Sequence, residues 1–481
     1  MIGVARAGLA AELRVAFGAA VRDPLYRNSL SLMAVTVLTS ALGYVYWVLA
    51  ARAYPPATVG SASTLIAAMI LAANLAGVGL GSALIGRLAG CTTERQRAGA
   101  FRAALILAIG GGTIAGLAAA LALPHLLGTG CVGAIDQLLL VIGAPLWSVA
   151  AVVDARFVAE LAAARALVRN GAFALLKLGM LAMAVAAIGG SGAELLLASW
   201  VFATAASAAP ALVCRSRVSG VAARAVIGGN TTVGAGAVPP RPSTESKGEL
   251  RRDLGALLRH TAGNHGTGLG EMAWRYLLPV LTTARLSPAE TAYGAIAWMI
   301  GGLAFMISSA VSTALFAHGV RHRDTGGALR RGSALIAVGL APAMLLCLLA
   351  GGKVLALLGP GYAAHATALL TLLCAAALPD AITNLATMSL RVRGKLGWAA
   401  ALNLGMAGIA LGLAWLLLPR LGIIGGGWAW LAAQLAGSLA VLVAVLRTRR
   451  TGRATIRRKG EDDGVLQPRP PVGLTSGLTL H

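Results

Sequence analysis

The chain has 481 residues, of which 57% are hydrophobic and only 12% are charged, and its mean hydropathy is +0.78. A soluble protein carries about 25% charged residues, so this composition excludes a soluble enzyme or binding domain and indicates that most of the chain faces lipid. The net charge of +23 is compatible either with nucleic-acid binding or with the excess of Lys and Arg in the cytoplasmic loops of membrane proteins.

Apolar segments recur along the chain, and each is close to the roughly 20 residues that a helix needs to cross a bilayer. They predict an all-α polytopic membrane protein of about 12 transmembrane helices. The first segment has no signal-peptide cleavage site before it and is expected to remain as the first helix. The seventh is the least apolar. The predicted spans are 29–50, 60–86, 103–123, 136–156, 170–190, 194–214, 256–282, 290–317, 332–350, 364–390, 398–418 and 423–446.

The positions of Lys and Arg predict the orientation of these spans. With a cytoplasmic N-terminus, the inner segments carry 34 of the 40 Lys and Arg residues, and the outer loops carry 4. Every inner segment has more of them than any outer loop, as expected for a multi-pass protein of the inner membrane. We therefore expect both termini to be cytoplasmic, the charge to reflect topology, and nucleic acid not to be a partner.

The pattern also predicts domain boundaries. Residues 1–28 form a basic cytoplasmic N-terminus, 29–214 and 254–446 form two six-helix lobes, and 215–253 form a Pro-containing cytoplasmic linker. Residues 447–481 form a basic cytoplasmic tail, which either contacts anionic membrane lipids or is inert solvated chain.

An internal repeat relates the two lobes. Pro56-Ala57 matches Pro288-Ala289 at an offset of 232 residues, and Asp154 matches Asp380 at an offset of 226. The two copies are separated by six spans. Because six is even, the copies have the same orientation and form a parallel repeat about an axis along the membrane normal. Two such lobes around a central cavity are typical of alternating access.

Several segments resemble the oligosaccharide and polysaccharide flippases (Wzx-like) of the multidrug/oligosaccharidyl-lipid/polysaccharide exporter superfamily. Residues 54–60 and 77–87 are similar to the first part of these proteins, whose second helix ends in a GLGxALxR-type run. Residues 286–290 resemble the start of their second lobe, and 358–363 and 418–426 resemble their C-terminal module. A departure follows at Gly426-Gly427-Trp428, where the family usually has small Ala residues.

The resemblance implies a flippase that moves a polyprenyl-diphosphate-linked oligosaccharide from the inner to the outer leaflet, for cell-envelope polysaccharide or lipopolysaccharide biosynthesis. The partners that it implies are the lipid-linked glycan, membrane lipids, and a glycan polymerase or glycosyltransferase. The alternative within the superfamily is a proton- or sodium-coupled multidrug exporter. A membrane scaffold without transport activity is a third interpretation.

Ionisable residues within spans are candidate cavity residues, because a charge at membrane depth is costly. Glu271 and Arg275 are four residues apart and are expected to share a helix face, as a structural pair or with Arg275 binding a diphosphate. Lys177, in the fifth span, is interpreted as a cationic cavity residue, with a buried pair to Asp154 or Glu160 as the alternative.

Further candidates lie near the ends of spans. Arg52 either faces the cavity or snorkels to the outer interface. Asn264 and His265 either bind a sugar or titrate with a proton, or else satisfy a kinked helix. Asp154 and Asp380 are candidates for gating or coupling, and each is otherwise expected to pair with a nearby arginine, Arg156 or Arg391.

Aromatic residues cluster toward the outer end of the first span, and common catalytic motifs are absent from the sequence. Tyr44, Tyr46, Trp47 and Tyr54 favour an aromatic belt at the outer interface, with a sugar-stacking wall as the alternative. The sequence contains no phosphate-binding loop, no GxSxG, no HExxH and no acidic metal motif, and its outer loops are short. We therefore expect neither an enzyme nor a cofactor or metal.

Overall fold

The computed structural model describes residues 24–77, 79–128, 132–187, 192–213, 255, 269–270, 272–322 and 325–463. These residues form helices and short connections, and none of them belongs to a strand. Ten of the described helices are long and apolar enough to cross a membrane. The predicted all-α polytopic membrane fold is confirmed.

In the described residues, the first lobe runs from Pro24 to Val213. Its second predicted span is interrupted, because Gly79 adopts a left-handed φ of +83°, which glycine tolerates without strain. The helices of this lobe in the described residues are α1 (Pro24–Ala53), α2 (Pro56–Gly77), α3 (Leu80–Ala89), α4 (Glu94–Leu127), α5 (Ala134–Ala159), α6 (Ala163–Ala187) and α7 (Ala193–Val213).

The second lobe follows with the same spacing of helices. Its first span, predicted at 256–282, is helical over 269–270 and 272–285, and the polar stretch that precedes it lies outside the described residues. The helices of this lobe in the described residues are α8 (272–285), α9 (Pro288–His322), α10 (Thr325–Ala356), α11 (Pro360–Val392), α12 (Leu396–Leu421) and α13 (Ile423–Asp463).

The two lobes repeat the same packing. In each lobe the second span packs against the third, fourth and sixth spans, the third packs against the fourth, and the sixth packs against the fourth and fifth. Pro56 and Pro288 occupy equivalent positions as the first residues of α2 and α9, where the fixed φ of proline favours helix initiation. The parallel repeat inferred from sequence therefore describes the architecture.

The lobes meet where α2 packs against α9. We call the end of the bundle that holds Pro56 and Pro288, the first residues of these helices, the closed end. Buried side chains of both lobes interdigitate there, and we call them the cross-lobe cluster: Tyr46, Ala50, Ala51, Tyr54, Val59, Ala62, Leu181 and Leu196 from the first lobe, and Ala292, Ile296, Ala297, Leu355, Leu358, Tyr362, Ala366, Leu369, Leu370, Leu373 and Ile423 from the second.

The packing differs towards the opposite end of the bundle. In the part of the chain that the structure describes, the buried cluster around Leu84 draws its residues from the first lobe, and the cluster around Leu340 draws its residues from the second. The described contacts between lobes are therefore concentrated at the closed end and at mid-depth, where Val280 of α8 joins a first-lobe cluster.

Candidate functional site

Lys177 lies in the middle of α6 and is buried, with 3% of its surface exposed. Its ammonium is 4.2 Å from the ring centre of Trp200 and 5.0 Å from the ring centres of both Tyr46 and Phe173. We call these three rings the aromatic cage. Each cation–π contact contributes about 0.5–2 kcal/mol, more when the cation is desolvated. Among the described residues, no carboxylate pairs with this ammonium.

Three different helices position the aromatic cage. Phe173 precedes Lys177 by one turn of α6, so the two side chains share a face. The Tyr46 hydroxyl lies 3.0 Å from Ser199 Oγ and so fixes α1 against α7. Trp147 of α5 stacks on Trp200, with ring centres 5.9 Å apart. The cation is thus surrounded by rings that are themselves held in place.

The alternative in which Lys177 pairs with Asp154 or Glu160 is wrong for this structure, because both carboxylates bind arginines. Arg169 donates to both oxygens of Asp154, at 2.7 and 2.5 Å, and Asn170 also donates to them. Lys177 is eight residues from Arg169, which places it about 12 Å further along α6.

The expected pairing of Asp154 with Arg156 is also wrong. Arg156 donates from Nε to Glu160, at 2.9 Å. Residues two apart on a helix do not face each other, whereas residues four apart do. Asp154 therefore binds Arg169 of α6 and links α5 to α6 within the first lobe.

Arg52 lies at the closed end, and its Nε donates to the backbone carbonyl of Leu357 in the second lobe, at 2.9 Å. This residue is exposed and lies six residues beyond Tyr46, or about 9 Å further along α1. Arg52 therefore bridges the two lobes at the rim of the closed end and lies apart from the aromatic cage.

Two of the four aromatic residues predicted to form an interfacial belt are buried instead. Tyr46 is 0% exposed and Tyr54 is 6% exposed. Both belong to the cross-lobe cluster, so the belt interpretation is wrong for them. They face protein because α1 packs against α6, Tyr46 contacts Ser199 and Trp200 of α7, and both tyrosines meet the second lobe.

Arg275 lies on α8 with an exposed side chain, between the buried Trp274 and the partly buried Tyr276. Its predicted partner Glu271, and the candidates Asn264 and His265, lie outside the described residues. The prediction that Glu271 and Arg275 form a pair stays a prediction.

Asp380 lies on α11 and is buried within a polar network of the second lobe. Its Oδ2 accepts hydrogen bonds from Ser308 Oγ at 2.9 Å and from Asn384 Nδ2 at 2.8 Å, and its Oδ1 accepts one from Gln434 Nε2 at 3.1 Å. Gln434 also accepts from Thr383. The partners described for Asp380 thus come from α9, α11 and α13, where the sequence suggested Arg391.

Sequence reasoning missed a row of hydroxyl groups between the lobes. The Thr64 and Thr283 hydroxyl oxygens lie 2.5 Å apart, and those of Thr283 and Thr291 lie 2.7 Å apart. Thr64 belongs to α2 of the first lobe, and the other two belong to α8 and α9. The sequence gives little signal for this row, because isolated threonines in apolar helices usually bond to their own backbone.

Structural comparison relates this fold to known transporters. No family model and no curated protein matches the sequence. A multidrug resistance MATE family transporter of the MOP superfamily in an inward-facing conformation superposes with a TM-score of 0.64 and 16% identity, over 88% of this chain and 99% of that one. The lipid II flippase MurJ, in an inward closed conformation, superposes with a TM-score of 0.62 and 12% identity, over 86% of this chain and 87% of that one.

A third structure is a MOP superfamily transporter from Pyrococcus furiosus, described as having a binding pocket of reversed polarity. It superposes with a TM-score of 0.53 and 13% identity, over 89% of this chain and 96% of that one. The chain shares the MOP transporter fold. At identities this low the likeness shows the fold alone, and the structures that share it include multidrug transporters and a lipid flippase. The MOP fold of this chain spans nearly the full length of these transporters.

Proposed function

We propose that this protein is a flippase of the inner membrane that moves a polyprenyl-diphosphate-linked oligosaccharide from the inner to the outer leaflet by alternating access. The product would supply cell-surface polysaccharide biosynthesis, with a glycan polymerase or glycosyltransferase acting next. This proposal joins the Wzx-like sequence resemblance to the MOP fold, which the lipid II flippase MurJ also has.

The observation that carries the proposal is the buried cation at Lys177. A carrier of organic cations needs carboxylates in its binding region, whereas a carrier of a diphosphate needs Lys or Arg. Lys177 is held by aromatic rings alone among the described residues, so its charge is available to an anion. Arg275, exposed on α8, is a second cation that we propose contacts the diphosphate.

We propose that the closed end lies at the outer face of the membrane. The loops at Arg52, Arg285, Lys353 and Arg420 lie at this end, and they carry few of the Lys and Arg residues of the chain. The cross-lobe cluster then seals the outer side. We propose that the state described is the one that receives substrate from the cytoplasmic leaflet, and that the termini are cytoplasmic.

A coupled multidrug exporter is the second candidate, and the buried carboxylate of Asp380 favours it. Its network of amide and hydroxyl groups joins three helices, so a change in its protonation would alter the packing of α9, α11 and α13. A coupling role for Asp380 is also compatible with a flippase. The positive charge of Lys177 distinguishes the two candidates, because it favours a diphosphate substrate over a cationic drug.

The deciding experiment measures outer-leaflet exposure of the lipid-linked glycan in cells depleted of the protein and complemented with variants. We expect depletion to trap glycan on the cytoplasmic side. Lys177→Ala and Arg275→Ala are expected to restore less than a tenth of wild-type exposure, and Lys177→Arg to restore more than Lys177→Ala. Lys353→Ala is the matched control, because Lys353 is an exposed lysine at the closed end.

Normal exposure in depleted cells that lack a second flippase would contradict the proposal. Full rescue by well-expressed Lys177→Ala would also contradict the proposal, because it would show that transport does not need this cation. Resistance to cationic drugs that depends on Asp380 and not on Lys177 would support the exporter instead.

A further inference from the structure

Two tryptophan clusters flank the cross-lobe cluster, and they contain six of the nine tryptophans in the chain. In the second lobe, Trp274 stacks on Trp430 with ring centres 5.1 Å apart, and Trp298 packs edge-on against them at 5.5 and 5.7 Å. The first-lobe cluster consists of Trp47, Trp147 and Trp200.

The repeat relates the centres of the two clusters. Trp200 is the eighth residue of α7, which begins at Ala193, and Trp430 is the eighth residue of α13, which begins at Ile423. Each helix is the final span of its lobe, and both tryptophans pack against the cross-lobe cluster. Equivalent indole rings therefore stand on the two sides of the region where the lobes meet.

Two of these indoles, both in the second lobe, have a buried donor without an acceptor. Trp274 and Trp430 each have a buried Nε1 that finds no hydrogen-bond partner among the described residues. Trp274 itself is 4% exposed. A buried N–H without a partner opposes the folded state, and buried tryptophans usually find an acceptor. Trp298 and Trp430 also pack against the cross-lobe cluster, so these donors point to an acceptor that arrives when the lobes separate.

The combination of flat indole faces and N–H donors selects the ligand class. Sugar rings present apolar C–H faces that pack on aromatic rings, and their hydroxyl and ring oxygens accept hydrogen bonds. An aromatic cation would also stack, but a cationic group offers no acceptor and would leave the indole donors of Trp274 and Trp430 unpartnered. A neutral saccharide satisfies both the rings and the donors.

We propose that Trp274, Trp298 and Trp430 form a saccharide-binding subsite in the second lobe. This subsite holds the sugars of the ligand, while Lys177 in the first lobe holds its anionic part. The proposal deepens the proposed function and rests on it for the presence of a sugar-bearing ligand. The proposal that Lys177 binds the anionic part of the ligand does not depend on this subsite.

The test measures equilibrium binding of three radiolabelled probes to the full-length protein in lipid nanodiscs. The probes are undecaprenyl diphosphate, the same lipid linked to chitobiose, and free chitobiose. We expect the attached sugars to tighten binding about tenfold. Trp274→Phe and Trp430→Phe keep an aromatic ring but lose the donor and part of the indole face. They are expected to reduce this gain to threefold or less without changing the affinity for the bare lipid.

Trp428→Phe is the matched control, because Trp428 lies on the same helix as Trp430 and is 48% exposed. An unchanged sugar gain in both tryptophan variants would overturn the subsite. Equally weakened binding of both lipid probes would also overturn the subsite. That result would indicate that the substitutions alter packing or lobe movement and do not remove a contact with the sugar.

If the flippase proposal is wrong, the binding of the three probes differs from the result expected when only the subsite proposal is wrong. If neither lipid probe binds, or if Lys177→Met leaves the affinity for both lipid probes unchanged, the flippase proposal falls. The subsite then survives only if free chitobiose binds and Trp430→Phe weakens that binding at least threefold. Absence of binding by all three probes overturns both proposals.

Discussion

The aromatic cage around Lys177 has an unusual energy balance. Taking an unpaired ammonium out of water costs several kcal/mol, and three cation–π contacts return about 0.5–2 kcal/mol each. The two contributions nearly cancel, so the charge adds little to the stability of the fold. The four-carbon stem of Lys177, by contrast, is buried among α1, α6 and α7, and its packing contributes to the stability of the fold.

This balance predicts that Lys177→Met and Lys177→Ala differ in stability but share a functional defect. Methionine keeps the length of the side chain and removes the charge, so we expect a free energy of unfolding within about 1 kcal/mol of wild type. Alanine leaves a cavity, and we expect a loss of about 2–4 kcal/mol. Thermal unfolding in detergent measures both, and a large destabilisation by Lys177→Met would show that the charge stabilises the fold.

At this scale the sequence located Lys177 but not its surroundings. A lysine in the middle of an apolar span is conspicuous, and Phe173 one turn away follows from helical spacing. Tyr46 and Trp200 come from helices that no local pattern connects to α6. The same limit applies to Asp154, whose partner Arg169 lies on the following helix.

Among the helices, α2 and α9 determine how the lobes approach each other. A Cβ atom added at Gly60 of α2 would lie 1.6 Å from the carbonyl oxygen of Pro288 and 3.0 Å from the amide nitrogen of Ala292. The two backbones are therefore in direct contact, and only glycine permits this distance.

We predict that Gly60→Ala separates the lobes at the closed end. The added methyl group overlaps backbone that cannot rotate away, so the close-packed state is disfavoured. The measurement is cross-linking by a short bismaleimide between Arg52→Cys and Leu357→Cys, in a background without the native cysteines, because the Arg52 side chain reaches the Leu357 carbonyl. We expect the cross-linked fraction to fall at least threefold.

Gly302→Ala on α9 provides the control, because nothing lies within 4 Å of a Cβ atom at that position. It should leave cross-linking unchanged. Unaltered cross-linking in Gly60→Ala would mean that the helices accommodate the methyl group and that this contact does not set the packing of the lobes.

Helix boundaries were largely predictable, because apolar runs end at charged or Pro-containing loops. The break between α2 and α3 was not, since the sequence around Gly79 reads as one continuous apolar span. Glycine is common in membrane helices for close packing, and composition alone does not distinguish that role from a left-handed turn.

For the molecule as a whole, the orientation in the membrane determines which side of the membrane the closed end faces. The parallel repeat and the alternation of charge are both visible in sequence, and the repeat agrees with the packing of the helices. Orientation rests on charge alone. The cross-lobe cluster could not be predicted, because it requires knowing which faces of the two lobes meet.

We predict that the closed end faces the outside of the cell. In a background without the native cysteines, Lys353→Cys should react with a membrane-impermeant maleimide in intact cells, because Lys353 is exposed at that end. Glu94→Cys, whose native side chain is 62% exposed at the opposite end, should react only after permeabilisation. The reverse labelling pattern would invert the proposed direction of transport.

The contact at Gly60 also has a mechanical consequence. With no side chain between the backbones at Gly60 and Pro288, α2 and α9 can pivot at this point without a rotamer change at the contact itself. From this fulcrum α9 extends for 35 residues, which makes a lever about 50 Å long. A rotation of about 10° would then swing the far end of α9 through about 9 Å, so a small tilt at one face is amplified into a wide opening at the other.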